Sequence, residues 1–186
     1  MNLHDLEGSA VFACTRREAV RRRLGFDPAC FVVLARVAAS TPCAGVDTVI
    51  LGVARLRQRH AVDGLLLVAA GIVAEAELAR LRDLTRALGM RAHVRFLITA
   101  PMHALRDCHV AADVLVSTPW GPASRRITHA AAPYARPVIG SDAGQLRAAT
   151  VDGATGYLIP PRDPETLAAR LAHLANLPAP AETAFQ

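Results

Sequence analysis

Six short, continuous apolar runs punctuate the chain: "CFVVLAR" from Cys30, "LLLVAAG" from Leu65, "HVRFLI" from His93, "DVLVS" from Asp113, "PVIGS" from Pro137 and "GYLIP" from Gly156. They do not alternate apolar with polar residues, as a strand with one wet face would. Continuous runs suit strands covered on both faces, as in a parallel sheet between two layers of helices. The stretches between the runs have helical length and period. Val49, Ile50, Val53 and Leu56 form one apolar stripe; Leu78, Leu81, Leu84 and Leu88 form another, with Gly89 as the stop. The last stretch has Asp163 to cap it, Pro164 for its first position and a stripe of Leu167, Leu171 and Leu174. The pattern predicts an α/β fold, a Rossmann-like open parallel sheet of about six strands with helices on both faces.

A chain of 186 residues with a hydrophobic fraction of 52% can bury one core. The expected organisation is a helical lead-in over 1–29, the sheet domain over 30–177 and a flexible tail over 178–186. No apolar run is long enough to cross a bilayer, since the longest, Leu65 to Ala74, contains Gly71. The N-terminus "MNLHDLEGSAVF" carries acids where a secretory signal has basic residues, so a cytoplasmic location is expected. Cys14, Cys30, Cys43 and Cys108 lack the spacing of a zinc site or a disulfide framework. All 21 basic residues are arginine, which excludes chemistry that needs an amine, such as a Schiff base or a P-loop lysine.

The net charge of +5 raises the question of an anionic partner, and Arg16, Arg17, Arg21, Arg22 and Arg23 crowd one segment. Thr15 and Glu18 fit a capping box there, and Gly25 fits the helix end, so the expectation is a solvated helix face. Nucleic acid is not expected as a partner, because aromatic residues for base stacking make up only 4% of the chain.

Ligands of such sheets bind at the carboxyl ends of the strands. At that edge Ser124 can cap a helix after Pro122, whose first turn would present amides beside Arg125 and Arg126. A diphosphate would suit this arrangement, with Arg36 reaching it from the end of the first strand. Spacing alone leaves this open against a plain cap with solvated arginines. Gly144, after the "SDAG" turn, opens a further helix at the same edge or serves backbone conformation alone. His129 could reach a ribose or a phosphate but is expected as an ordinary helix residue, with no carboxylate beside it to orient it; none of the other six histidines pairs with Ser or Cys at a motif spacing, and Ser141 lacks the elbow of a hydrolase.

The order of "AADVLVSTPW", "RPVIGSDAGQ" and "DGATGYLIPPRDPETLAARL", with "GVD" following Arg36, resembles the C-terminal, donor-binding half of retaining GT-B glycosyltransferases of family 4. The resemblance runs from about Arg16 to Leu174. It implies a nucleotide diphosphate sugar as donor substrate, no catalytic metal or other cofactor, and a cleft shared with a second, acceptor-binding domain. It gives Arg36 the place of the arginine on the donor diphosphate and Gly144 that of the first glycine near the sugar. The family's lysine falls on Ala44, its two glutamates on Pro122 and Ala130, its helix-start glycine on Arg125 and its second loop glycine on Gln145. Arg125 or Arg126 are candidate substitutes for the lost cation.

Pro122 and Ala130 cannot hold a sugar or ribose hydroxyl as carboxylates do. The resemblance therefore implies a donor-binding domain with impaired or absent catalysis, binding a nucleotide sugar and needing a separately encoded acceptor-binding chain or another glycosyltransferase as partner. The alternatives are a non-catalytic binding or scaffolding module and a truncated remnant.

Overall fold

The computed structural model of the chain describes residues 16–37, 45–60, 64–98, 102–118, 136–142, 153 and 156–176. In chain order the elements are α1 (16–24), β1 (Phe31–Val37), α2 (Val46–His60), β2 (Leu65–Gly71), α3 (Glu75–Ala87), β3 (Val94–Ile98), α4 (Met102–Ala111), β4 (Val114–Ser117), β5 (Val138–Ser141), β6 (Gly156–Ile159) and α5 (Pro164–Asn176). The strands form one six-stranded sheet in the order β3-β2-β1-β4-β5-β6, every pair parallel. This is the Rossmann-like fold expected from the apolar runs. The strand order reverses direction at β1 and β4, which lie side by side and form the switch point where such sheets bind ligands.

Alternation along each strand sorts the core into two clusters. Val33, Ala35, Leu67, Val114, Val116 and Ile139 pack under α2, α3 and α5; Val32, Leu34, Val68, Leu115 and Val138 pack under α1 and α4. Gly52 lets α5 lie tight on α2, since a Cβ there would come within 2.7 Å of the Leu167 side chain. The start of α5 is capped as its sequence implies, with Asp163 Oδ1 accepting from the Glu165 and Thr166 amides at 3.0 Å each. Gly89 ends α3, the Met90 N–H closing on the Thr85 carbonyl at 2.9 Å. Among the described residues no helix is long and apolar enough to cross a membrane.

One expectation fails. The arginines of α1 do not all lie on a solvated face, for Arg21 is buried at 5% exposure. Its Nε donates to the Ala111 carbonyl at 2.9 Å, one terminal nitrogen donates to the Pro28 and Cys30 carbonyls at 2.8 and 3.0 Å, and the other meets Asp113 Oδ2 at 2.6 Å. Asp113 also takes the Val32 N–H at 2.7 Å and pairs with Arg17. The reason is helical spacing: Arg17, Val20, Arg21 and Leu24 share the face that packs on the sheet. Burial draws the Arg21 guanidinium below its ordinary pKa, with the charge of Asp113 opposing that loss. Arg16 and Arg22 remain exposed, and Arg23 meets Asp107 at 2.5 Å. Thr15, the other half of the expected capping box, and the tail over 178–186 lie outside the described residues.

Candidate functional site

The chemistry-bearing groups at the switch point come from the last residues of β1 and β4 and from α4. Arg36 is the penultimate residue of β1 and stands in register with Ala70 of β2. Ala70 belongs to the cluster under α1 and α4, so the Arg36 side chain leaves the sheet on that face. The residue is half-buried, and its Nε is enclosed without a hydrogen-bond partner.

Beside it, β4 ends in Ser117 and is followed by Thr118, both buried at 3% and 2% exposure. The two side chains do different things. Thr118 Oγ1 donates to the Gly45 carbonyl at 2.8 Å and so ties the start of α2 to the end of β4. Gly45 is held at φ 64, and a Cβ there would fall 2.1 Å from the Thr118 carbonyl oxygen, so only glycine permits this approach. Ser117 Oγ, by contrast, has no partner.

His109 of α4 is buried at 5% exposure on the same side of the sheet. Burial, and secondarily the positive charge of Arg36, depress its pKa from 6.5 to about 4, so the imidazole is neutral at physiological pH. Cys108 next to it is buried as well, and its thiol is pushed up to about 11, mainly by burial, which makes it inert. Among the described residues the arrangement therefore offers the Arg36 guanidinium and the Ser117 hydroxyl as donors beside a neutral imidazole and a protonated thiol, which suits the holding of an anion.

Among the residues anticipated for a donor site, Arg36 is placed at the carboxyl edge beside the switch point. Ala44, Pro122, Ser124, Arg125, Arg126, Ala130, Gly144 and Gln145 lie outside the described residues. A pocket of about 210 Å³ occurs elsewhere, lined by Arg82, Thr85, Arg86, Arg91, Val94 and Phe96 on α3 and β3. It takes in the C-terminal part of α3 and the beginning of β3, at the opposite end of the sheet from the switch point. Its arginines there counter the negative end of the α3 dipole.

The model of the family described as glycosyl transferases group 1 matches residues 17–184. The chain belongs to this family. It is 30% identical over 179 residues to the D-inositol 3-phosphate glycosyltransferase of Streptosporangium roseum, covering 91% of this chain and 40% of that protein. The protein of the same name from Thermobispora bispora is 32% identical over 173 residues, covering 90% and 40%. The chain thus spans about two fifths of the length of these curated relatives.

Solved glycosyltransferases share the fold. WaaG, a glycosyltransferase involved in lipopolysaccharide biosynthesis, superposes with a TM-score of 0.77 at 22% identity, over 91% of this chain and 44% of that one. HepE of Anabaena, in complex with UDP, gives 0.71 at 22% identity over 92% and 49%. The sucrose-phosphate synthase of Thermosynechococcus elongatus gives 0.72 at 23% identity over 83% and 38%. The group 1 glycosyltransferase fold here is one Rossmann-like domain of the GT-B kind.

Proposed function

We propose that this group 1 glycosyltransferase domain binds the diphosphate of a nucleotide sugar at the carboxyl edge of β1 and β4, with Arg36 as the principal cation. The observation that carries the reading is the placement of Arg36, half-buried at the topological switch point with an enclosed Nε that has no partner. A guanidinium there is a strong, fork-shaped donor for phosphate oxygens. The HepE structures with UDP and with UDP-glucose support the choice of ligand class. Ser124, Arg125, Arg126 and Gly144 complete the proposed donor site from the sequence.

In the same reading the chain is similar to the retaining enzymes of family 4, and its own catalysis is impaired. Pro122 and Ala130 stand where carboxylates would hold the sugar and the ribose, and Ala44 stands where an amine would neutralise the leaving diphosphate. Each missing bond to a charged group weakens binding or the transition state by roughly 1.5 to 3 kcal/mol. An acceptor-binding partner, supplied separately, belongs to this proposal. The loss of both carboxylates favours, as a second reading, a module that binds the donor without turning it over.

Calorimetry of the full chain with UDP, GDP and ADP sugars tests the proposal. Uptake of at least one nucleotide sugar is expected, and Arg36→Ala should weaken it about tenfold or more. Silence across the panel, or equal affinity in the variant, would overturn it. Donor uptake with no sugar release or transfer would select the second reading.

A further inference from the structure

The side chains that leave the α1 and α4 face at the carboxyl edge of the sheet include two enclosed polar groups that have no hydrogen-bond partner among the described residues. Leu34 of β1 lies in register with Leu115 of β4, and Leu115 with Val138 of β5, all three in the core under α1 and α4. Two residues further along each strand the same face carries Arg36, Ser117 and Gly140, and Ser117 and Gly140 are partners in register. Ser117 is 3% exposed, yet its Oγ has no hydrogen-bond partner, and Arg36 Nε is in the same condition. Gly140 brings no side chain to its place in the row.

A buried hydroxyl without a partner destabilises a fold, so it calls for an explanation outside stability. Both groups carry a hydrogen to donate, and they emerge from neighbouring strands at the switch point. Two donors on one face of neighbouring strands, one of them cationic, fit an oxygen acceptor with negative charge.

We propose that Ser117 is a further donor-binding residue, its hydroxyl and the Arg36 Nε–H donating to the same phosphate group of a nucleotide diphosphate. The proposal rests on the reading of this edge as the donor site and adds to it a residue that the family resemblance does not supply. On this account the Ser117 hydroxyl is unsatisfied in the free protein and gains its partner from the ligand. Stability in the unbound state is given up for affinity in the bound one.

The test compares the full chain with Ser117→Ala and Ser117→Thr, by calorimetry with UDP, inorganic pyrophosphate and uridine and by thermal melting. Ser117→Ala should weaken UDP and pyrophosphate by the same factor, about tenfold or more, and leave uridine unaffected. Its melting temperature should stay level or rise, because the substitution deletes a hydroxyl that bonds to nothing. Ser117→Thr, which keeps the hydroxyl, should retain phosphate affinity. Unchanged pyrophosphate affinity in Ser117→Ala overturns the role of Ser117 while leaving the donor site standing. A fall in affinity accompanied by an equal loss of melting temperature in Ser117→Ala overturns it too, since the hydroxyl would then be structural. Failure of the unaltered protein to take up either UDP or pyrophosphate overturns both the donor site and this proposal.

Discussion

At the scale of single residues, the site is defined by what burial does to polar groups. His109 illustrates this with a consequence for pH. Its folded pKa, about 4, lies below the ordinary 6.5, so unfolded protein binds the proton more readily than folded protein between those values. The contribution of the neutral imidazole to stability is therefore complete above pH 6.5 and is lost as pH falls toward about 4. A displacement of this size corresponds to a loss on the order of 3 kcal/mol. Glu77 and Asp163, whose pKa values are lowered by hydrogen bonds from Arg80 and Thr166, lose their contributions at still lower pH. Urea denaturation between pH 7 and 4 should show the His109-dependent slope in the natural protein and a flatter profile in His109→Gln. Identical profiles would mean that His109 is not held neutral. Nothing in the sequence announces this residue: "CHVAAD" reads as an ordinary stretch until the helix is laid on the sheet. Arg36 is legible as a candidate because it ends an apolar run, which puts it at the carboxyl edge of the sheet. Ser117 is not, because its closeness to Arg36 depends on strand register across 81 positions of chain, which no local pattern encodes.

At the scale of elements, the strands were legible to within a residue or so. β2 begins and ends at Leu65 and Gly71, as its apolar run does, and α5 starts at Pro164 behind its Asp163 cap. Parallel strands buried on both faces leave a signal that tertiary context cannot alter. α1 was harder. Five arginines in eight residues look like a wet surface, and the apolar Val20 and Leu24 between them are too few to show which arginines share their face. The fold uses Arg21 as a tie between α1, the last carbonyl of α4, the approach to β1 and the Asp113 that precedes β4. Asp113, part of the "AAD" motif, thereby anchors α1 and the start of β1 to β4. Removing the Arg21 guanidinium takes the donor from the Ala111, Pro28 and Cys30 carbonyls and leaves Asp113 with Arg17 and the Val32 N–H alone, so Arg21→Ala should destabilise the protein by about 3 kcal/mol. Chemical denaturation measures this directly. A change below about 1 kcal/mol would show that the pair contributes no more than an exposed one.

At the scale of the whole molecule, the chain is built on a six-stranded parallel sheet and has about two fifths of the length of its curated relatives. Family membership and fold follow from different information. The apolar runs specify the sheet through burial, whereas the resemblance is read from stretches such as "TPW" and "DGATGYLIPP". The fold puts Arg36 at the carboxyl edge beside β4, and the resemblance gives the same residue to the donor diphosphate, as proposed above. In the proposed reading the chemistry differs, with Pro122, Ala130 and Ala44 standing where a transferase of this kind would use other groups. The central claim is that the switch point holds the diphosphate of a nucleotide sugar. A crystal structure of the full chain soaked with UDP tests it most directly. Phosphate density is expected beyond the ends of β1 and β4, within hydrogen-bonding distance of the Arg36 guanidinium and the Ser117 hydroxyl; nucleotide bound elsewhere, with Arg36 and Ser117 untouched, would rule the proposed site out.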